Sequence, residues 1–488
     1  MILFSVLKNA AVIEQIVGTL PSGGAEVVTD SRKIKEFNFK DKNLTFFVPL
    51  VGERFNGHQF IEDFLAKGHR CFAINVTEEG QIKGLQEKYP DLCAVVVTDT
   101  LKFLQEIAAL RVQDWRKKNP AGKIMGITGS NGKTTHKEML AYLLEGVFPG
   151  KVHTSQGNLN NHIGVPLTLL GIEDQHQIIL VEMGINHPGE MTPLCQMADP
   201  ESALITNIGA THLEFLGSEA GVWQEKRNLF LYCQQRARKI KNPQAFLLMG
   251  GEARWMQDLP AADLQSIVVE ENLGNSPTAL SSSPAYRLTV VGPGGELVTP
   301  QGHLYWQNKN IVGQHNQANL GRALLAAMLL AGSSHQAALE KQAAGFKASF
   351  NRSSWVRQGD LNFYLDAYNA NPSSMAAALR SFVQQLASDG VKLGQCCFVL
   401  GDMNELGPQA ADLHREIGRL LGELKVVEAV FVGRYAAYYE EGFKGKATCY
   451  VDRDALLAAW PLWQKRFRYF FIKASRSLQL EALTAITS

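Results

Sequence analysis

Apolar residues in this chain occur in short runs separated by amphipathic stretches, and the pattern of alternation divides the sequence into three blocks. A helical pattern over 101–118 and a turn-forming group, Asn119-Pro-Ala-Gly122, follow the first block, residues 1–98. Inside that block, short and mostly apolar runs typical of buried strands occur at 44–48, 71–74 and 94–97. We therefore predict a separate mixed α/β domain over residues 1–98.

The second block, residues 99–345, opens with a strand pattern at 123–128, a glycine-rich turn and a helical pattern with one apolar face. Strand-like runs at 178–181 and 203–206 follow, which fits a parallel sheet. From 265 to 312 the runs are short and broken by Gly, Pro and Ser, so we predict an antiparallel insertion there.

The third block, residues 346–488, alternates strand-like runs with helical stretches, as in a parallel sheet covered by helices. These runs lie at 363–365, 396–400, 429–432 and 469–472. We predict an α/β protein of three domains: an N-terminal mixed α/β domain, a central P-loop-type parallel sheet with the antiparallel insertion, and a C-terminal Rossmann-like parallel sheet. A length of 488 residues agrees, because single cores stop growing well below that size.

Composition narrows the partners and the compartment. The net charge is only +1, so no basic field favours nucleic acid or an anionic membrane. The seven cysteines include no Cys-x-x-Cys pair, which favours a reducing cytosol. The apolar start lacks a basic leader, and the longest apolar run, 323–331, is about half of the roughly 20 residues of a membrane span. We expect a soluble, cytoplasmic protein.

The segment Gly126-Ile-Thr-Gly-Ser-Asn-Gly-Lys-Thr134 joins the strand to the helix of the second block and predicts a phosphate-binding loop. Backbone N–H groups at a glycine-rich helix start converge on anions, and the helix dipole adds positive potential. Lys133 would reach the β- and γ-phosphates, and the Thr134 hydroxyl would bind Mg²⁺. The glycines at 126, 129 and 132 are spaced differently from the common Walker form.

Three downstream residues could complete a site for ATP and a metal. Glu182 ends a strand pattern at the carboxyl edge, where open α/β sheets place ligands, and His212 follows the next strand. Lys226 lies in a helical stretch. Taken from spacing alone, such residues are more often a solvated or paired glutamate, a structural histidine and a solvated lysine.

Longer motifs carry a resemblance. The loop 128–135, the segment 157–166, Glu182-Met-Gly184 and Thr211-His-Leu-Glu214 together resemble the Mur ligases of peptidoglycan synthesis. The remaining segments resemble the branch that adds D-alanyl-D-alanine to UDP-N-acetylmuramoyl-tripeptide, with its uridine-nucleotide domain, and they are 29–32, 52–58, 366–375, 399–407 with His414, and 473–477. Ala474 stands where that branch usually has glycine.

The resemblance implies a metal site. Thr134, Glu182 and His212 would surround Mg²⁺, and Lys226 would be carbamylated by CO₂, which turns a cation into an anion able to orient the metal. Carbamylation needs the neutral amine, so the site would have to depress the pKa of Lys226. Asn228 stands where the family usually has glutamate.

The resemblance also implies an ATP site and its catalytic residues. Lys133 and Lys226 would act in catalysis together with Arg352, which would reach the phosphates from the last domain. The residues implied to hold ATP are Gly129, Ser130, Asn131, Gly132, Lys133, Thr134, Thr135, His315, Asn316, Asn319, Asp366, Tyr368, Asn369 and Asn371. For Asn316, helix N-capping is an alternative. Ala367 stands where a second aspartate is usual, and we assign it no role.

The reaction implied is the joining of D-alanyl-D-alanine to UDP-N-acetylmuramoyl-tripeptide through an acyl phosphate, with ATP and Mg²⁺. The three domains would bind the UDP-substrate, ATP, and D-alanyl-D-alanine, respectively, in a monomer without a nucleic-acid partner. The residues expected at the UDP-substrate are Ser31, Arg32, Asn158, Asn160 and Asn161.

Two alternatives remain. The first is another ligase of this type, such as the enzyme that adds the third residue, or folylpolyglutamate synthase. The chain has no Asp-Asn-Pro-Arg motif, and its segment 401–407 argues against both. The second is a nucleotide-binding scaffold without turnover, which the intact set of Lys133, Thr134, Glu182 and His212 disfavours.

Overall fold

A computed structural model represents the chain. It describes residues 1–34, 44–53, 55–242, 244–250, 253–260, 264–272, 286–348 and 353–484. Arg352 lies outside the described residues. Within them, no helix combines the length and the hydropathy needed to cross a bilayer.

The first block forms a six-stranded sheet, counted over the described residues, in the order β1-β3-β4-β7-β8-β2. Its strands, with a small separate hairpin β5–β6, are β1 (Ile2–Leu3), β2 (Ile13–Val17), β3 (Gly24–Val28), β4 (Leu44–Phe47), β5 (Val51–Gly52), β6 (Phe55–Asn56), β7 (Cys71–Asn75) and β8 (Cys93–Val97). The helices are α1 (Phe4–Leu7), α2 (Ile61–Ala66) and α3 (Gln81–Lys88). Strands β3, β4, β7 and β8 are parallel, and the outer strands β1 and β2 are antiparallel. The predicted mixed α/β architecture is confirmed.

A long helix, α4 (Thr100–Lys118), follows this sheet. The Asp99 side chain caps its start by accepting hydrogen bonds from the backbone N–H groups of Leu101 and Lys102. Its apolar residues share one hydrophobic core with the first sheet and with helices of the second block. The first block is therefore packed directly against the central one.

The central sheet runs in the order β10-β11-β9-β12-β13-β14-β15-β16-β17. Its strands are β9 (Lys123–Thr128), β10 (Val152–Thr154), β11 (Ile178–Glu182), β12 (Ser202–Ile205), β13 (Phe246–Gly250), β14 (Gln265–Asn272), β15 (Arg287–Val291), β16 (Gly294–Thr299) and β17 (Gly302–Gln307). The helices are α5 (Lys133–Glu145), α6 (Gly164–Leu170), α7 (Met191–Ala198), α8 (Leu213–Leu216), α9 (Glu219–Ile240), α10 (Gln314–Ala331) and α11 (Gln336–Ala343). Because β9 lies between β11 and β12, the carboxyl ends of three parallel strands meet around the glycine loop.

The predicted antiparallel insertion is present as the meander β15-β16-β17. It begins later than the sequence suggests, because β14 pairs in parallel with β13 and belongs to the parallel part. The meander extends the edge of the central sheet, and it does not form a sheet of its own. A short connection at Gly292, where φ is +55°, allows the tight reversal between β15 and β16.

The third block forms the predicted parallel sheet, in the order β18-β19-β23-β20-β21-β22. Its strands are β18 (Ser354–Gln358), β19 (Leu361–Asp366), β20 (Cys396–Gly401), β21 (Glu428–Val432), β22 (Lys446–Tyr450) and β23 (Tyr469–Lys473), and its helices are α12 (Pro372–Ser388), α13 (Ala410–Glu423), α14 (Ala436–Gly442) and α15 (Arg453–Arg466). Only the edge strand β18 is antiparallel among these described strands. Separate apolar cores cover the two faces, as the near-continuous apolar runs of the inner strands predict.

Candidate active site

The phosphate loop connects β9 to α5, and two of its glycines are required by geometry. Gly129 has φ +146°, and a Cβ there would overlap the Thr206 hydroxyl. Gly132 has φ +76° and caps α5, in a left-handed conformation that other residues rarely adopt. The Lys133 Nζ folds back and donates to the Gly129 carbonyl at 2.8 Å. The loop therefore has a defined shape that fits an anion cradle at a helix start.

The loop is anchored to the segment after β12. The Ser130 hydroxyl donates to the Gly209 carbonyl at 3.0 Å and accepts from the Gly209 N–H at 2.9 Å. The Thr211 hydroxyl lies 3.1 Å from the Ser130 hydroxyl. The Asn131 backbone N–H donates to the Asn207 side-chain oxygen at 2.8 Å. These bonds tie the loop to the segment 207–211.

A buried carboxylate lies beside the start of α5. The Glu182 Oε1 accepts hydrogen bonds from the Thr134 hydroxyl at 2.9 Å and from Asn160 Nδ2 at 2.8 Å. Its Oε2 is buried without a hydrogen bond, 3.4 Å from Lys137 Nζ. A hydroxyl and a carboxylate oxygen of this kind are ligands that Mg²⁺ takes, so these residues fit a magnesium ion.

Three carboxylates or imidazoles do not come together, however, anywhere in the part of the chain that the structure describes. Among the residues expected to hold the metal, Thr134 and Glu182 are in direct contact, whereas His212 bonds elsewhere. A further anionic ligand would have to come from a neighbouring side chain.

Lys226 is the residue that the sequence analysis expects to supply that ligand. It lies on α9, its side chain is almost completely buried, and its Nζ donates to the Ser130 hydroxyl at 3.3 Å. Burial, reinforced by the nearby charge of Lys133, holds the pKa of Lys226 well below its usual range. A depressed pKa favours the neutral amine, which is the form that reacts with CO₂. Asn228 is half-buried on the same helix.

His212 pairs with a residue of the third block. It adopts φ +54° at the start of α8, and its Nδ1 lies 2.5 Å from Glu405 Oε2. Burial lowers the pKa of His212, although Glu405 opposes the shift, and the same hydrogen bond lowers the pKa of Glu405. With Nδ1–H donating to Glu405, Nε2 is left as the nitrogen able to bind a metal.

The third block also touches the phosphate loop directly. Asn131 Nδ2 donates to the Ser373 hydroxyl at 2.8 Å, and Asn371 Nδ2 donates to Asn131 Oδ1 at 2.5 Å. Asn371 is at the same time the N-cap of α12, in a capping box with Ser374. The third block is therefore docked on the loop through the start of one helix.

Other residues expected at the nucleotide line the same edge of the third block. Lys473 Nζ donates to Asp366 Oδ2 at 2.5 Å and to the Asn369 carbonyl at 2.9 Å. Tyr368 is half-buried, and Asn369 is exposed. Ala367 is fully buried.

The first turns of α10 carry His315, Asn316 and Asn319. The His315 Nδ1 lies 3.0 Å from the Ser381 hydroxyl, and burial lowers the pKa of His315 to about 4. The N-cap of α10 is Gly313, so the alternative in which Asn316 caps the helix is wrong. Its Nδ2 instead donates to the Val312 carbonyl at 2.9 Å.

The residues expected at the UDP-substrate are spread over two regions. Ser31 and Arg32 lie on a 3₁₀ turn capped by Asp30, with Arg32 Nε 2.9 Å from Asp30 Oδ1. Asn158 is exposed on the loop after β10, and Asn160 bonds Glu182. The Asn161 side chain accepts from the backbone N–H of Gly164, at the first turn of α6.

Sequence reasoning did not single out Lys137 or Glu405. Lys137 lies one helical turn after Lys133 on the same face of α5, so helical spacing is a signal that could have identified it. Glu405 belongs to the segment 401–407, which carries the resemblance but received no residue roles. Its partner His212 is 193 positions away, which no local pattern can reveal.

Comparison with known proteins now adds to this geometry. The Mur ligase middle domain matches residues 127–329, and the Mur ligase, glutamate ligase domain matches residues 351–466. The UDP-N-acetylmuramoyl-tripeptide–D-alanyl-D-alanine ligase of Treponema pallidum (strain Nichols) is 31% identical, over 90% of this chain and 89% of that protein. The chain belongs to the Mur ligase family.

Two further comparisons agree. The ligase of the same description from Escherichia coli (strain K12) is 30% identical to this Mur ligase, over 93% of the chain and 92% of that protein. A crystal structure of MurF from Acinetobacter baumannii superposes with a TM-score of 0.75 at 27% identity, and it covers 94% of this chain and 92% of that one. The similarity therefore extends over all three blocks.

Proposed function

We propose that this Mur ligase joins D-alanyl-D-alanine to UDP-N-acetylmuramoyl-tripeptide, with ATP converted to ADP and phosphate. The observation that carries the proposal is the buried pair of Glu182 and Lys226 on either side of the phosphate loop, in a chain whose relatives from T. pallidum and E. coli are named for this reaction. A nucleotide-binding scaffold would have no use for a buried lysine with a depressed pKa at that position.

In the first step, the terminal carboxylate of the tripeptide attacks the γ-phosphorus of ATP, and the bond to the ADP oxygen breaks. Phosphoryl transfer asks the protein chiefly for positioning and for neutralisation of charge. The loop residues Gly129 to Thr135 would hold the phosphates, and Lys133 would turn from the Gly129 carbonyl to the β- and γ-phosphates. Arg352 is proposed to add a second cation from the third block.

In the second step, the amine of D-alanyl-D-alanine attacks the acyl carbon. The tetrahedral intermediate then expels inorganic phosphate, the amine loses one proton, and an amide results. Holding three substrates together costs association entropy, so we propose that each of the three blocks holds one of them. We propose that the first block binds the UDP end and the third block binds D-alanyl-D-alanine.

Lys226 is proposed to act as a carbamate. Its neutral amine adds to CO₂ and releases one proton, which gives an anionic oxygen pair next to Ser130. The depressed pKa and the burial of the side chain support this role. Carbamylation would provide the anionic ligand that the Thr134–Glu182 pair lacks.

Thr134, Glu182, the modified Lys226 and the Nε2 of His212 would hold Mg²⁺. When bound, the ion neutralises charge that develops on the phosphate oxygens. Asn160 fixes Glu182 through its 2.8 Å hydrogen bond, so we propose that this asparagine acts at the metal carboxylate as well as near the UDP-substrate.

The rest of the nucleotide would lie between α10 and the third block. His315, Asn316 and Asn319 would face the adenine, while Asp366, Tyr368, Asn369 and Asn371 would line the opposite edge. Ser31, Arg32, Asn158 and Asn161 are proposed to contact the UDP-substrate. We expect a monomer that acts in the cytoplasm.

The test measures phosphate release in the presence of ATP and Mg²⁺, with each peptide substrate present or absent. The proposal requires release only when UDP-muramoyl-tripeptide and D-alanyl-D-alanine are both supplied. Tripeptides ending in diaminopimelate and in lysine are compared side by side to define the substrate. Hydrolysis without either substrate, or a lack of turnover with all of them, would refute the ligase function.

A further inference from the structure

Behind the phosphate loop runs a buried chain of hydrogen bonds that the proposed mechanism does not use. The Gly132 carbonyl accepts the backbone N–H of His136 at 2.9 Å, and the His136 Nδ1 lies 2.8 Å from the same oxygen. On the other side of the ring, Arg322 Nε donates to His136 Nε2 at 3.2 Å. The His136 side chain is completely buried, and Arg322 is almost so.

Arg322 selects one form of His136. A guanidinium has only donors, so Nε2 of the imidazole must accept the bond from Arg322. The proton then has to be on Nδ1, where it can donate to the Gly132 carbonyl. Neither the protonated ring nor the other tautomer satisfies both bonds. A second-partner bond of this kind is how proteins commonly fix a histidine tautomer.

The bond to Gly132 fixes a peptide plane at the start of α5. Because the peptide is planar and trans, the Gly132 carbonyl and the Lys133 N–H point in opposite directions along the helix. The carbonyl is held inside the helix, so the Lys133 N–H is aimed outward from its N-terminus. That is the direction in which helix starts bind phosphate.

Arg322 is itself held by a residue of its own helix and by a residue of a neighbouring strand. Its Nη2 donates to Asn319 Oδ1 at 2.5 Å on α10, and its Nη1 pairs with Glu271 on β14. A Cβ atom added to Gly132 would lie 3.6 Å from Asn319 Nδ2, so α10 packs directly on the loop. The orientation of the loop peptide thus depends on an arginine 190 positions away in the sequence, as 322 minus 132 gives.

We propose that Arg322 and His136 are positioning residues for nucleotide binding: Arg322 fixes the Nδ1–H tautomer of His136, which holds the Gly132 carbonyl and aims the Lys133 N–H at a phosphate. The proposal rests on the use of this loop for ATP.

The test titrates ADP with Mg²⁺ into the full-length protein by calorimetry, without peptide substrates. Arg322→Met and His136→Phe each keep the apolar volume and are expected to weaken ADP binding about tenfold. The double variant should bind no more weakly than the poorer single variant, because both changes break one pathway. If the loss of ADP affinity in the double variant equals the product of the fold-losses in the two single variants, the two residues do not act in one pathway. Unchanged ADP affinity in both single variants would overturn the proposal.

Arg111→Met is the matched control. Arg111 is also a buried arginine, but it donates to the Ile172 carbonyl and pairs with Asp114, remote from the loop. Its loss should lower the melting temperature and leave ADP affinity unchanged. A decrease in ADP affinity equal to that of Arg322→Met would show a general packing effect and contradict the inference.

Two further readouts keep the inference testable if Arg322→Met does not fold. His136→Asn retains an N–H near the Nδ1 position and should bind ADP more tightly than His136→Phe, whereas equal affinities would refute the role of the donor. In ¹⁵N-histidine spectra, the signal that His136→Phe removes should show the Nδ1–H tautomer, and the Nε2–H form would refute the proposal.

The outcome is separable from the proposed function. If the protein binds ADP but does not ligate, the ligase function fails while the affinity ratios still test the inference. If the variants bind ADP as the parent does, the inference fails while substrate-dependent phosphate release still supports ligation.

Discussion

The phosphate loop and the segment 29–32 of the first block are both short polar motifs, yet the fold treats them in opposite ways. At the loop, Lys226 is 1% exposed and bonded to Ser130, which is in turn bonded to Gly209. In the segment 29–32, the Arg32 side chain is 88% exposed and pairs with Asp30, two positions away. The side chains at the phosphate loop are buried and fixed by hydrogen bonds, whereas the Arg32 side chain in the segment 29–32 is exposed to solvent.

The difference follows from the work each region would do. Donors that stabilise developing charge are effective only when they are fixed and shielded from water. A surface ion pair is worth little and can exchange its partner for a substrate at small cost. Substitutions at the loop should therefore lower kcat, and substitutions in the segment 29–32 should raise one KM.

The largest effect is expected at Lys133. Lys133→Ala removes the cation at the start of α5 and should lower turnover by at least about 10³-fold, the size of effect seen for cations at a transferred phosphoryl group. Substrate-dependent phosphate release measures it, with the exposed helix residue Lys117→Ala as a control. If Lys133→Ala kept a tenth of the parent rate, the phosphate loop would not differ from the segment 29–32 in the way proposed.

Lys226 is expected to come next. Lys226→Ala should lower kcat on the order of 10²–10³-fold, because it removes a group fixed beside the phosphates. Added acetate or propionate should restore part of the rate if the residue acts as a carbamate, and Lys226→Arg, which cannot be carbamylated, should be as inactive as the alanine variant. Full activity of Lys226→Ala would refute its assignment, and equal rates with and without added carboxylate would refute the carbamate.

Glu405 tests whether the third block belongs to the fixed region. Glu405→Ala frees His212, and we expect kcat to fall about 10-fold, as for other residues that orient a metal-binding histidine. The exposed carboxylate variant Glu423→Ala on α13 is the control and should retain the parent rate. If both variants keep the kcat of the parent protein, Glu405 of the third block does not orient His212 for catalysis.

The smallest effect is expected at Arg32. Arg32→Ala should raise KM for the UDP-substrate about tenfold, which is the loss of roughly one charged hydrogen bond, and leave kcat and KM for ATP unchanged. Lys88→Ala, in an exposed ion pair of the same block, is the control. A fall in kcat would mean that the segment 29–32 is as fixed as the loop, which would remove the distinction between the two regions.

Local pattern identified the fold well for a physical reason. The runs at 123–128 and 178–181 are buried strands because apolar continuity and length are themselves the cause of burial in a parallel sheet. The same logic located the third sheet and the meander. The sequence pattern placed the start of the meander too early. The pairing of β14 with β13 is determined by tertiary packing and not by the composition of β14.

The sequence by itself determined the loop. A strand, glycines at 129 and 132, and Lys-Thr at a helix start require one another through backbone geometry alone. It also determined that Glu182 would end its strand next to that loop, because neighbouring parallel strands end at one edge.

Only the tertiary structure decided which side chains fix these groups. Three contacts join positions that are far apart in the sequence. Lys137 and Glu182 are 45 residues apart (182 minus 137), Glu405 and His212 are 193 apart, and Arg322 and His136 are 186 apart. Such contacts depend on how helices and blocks pack, and periodicity says only which face of an element is buried. The local sequence therefore determines the phosphate loop, and the tertiary structure determines which distant side chains contact it.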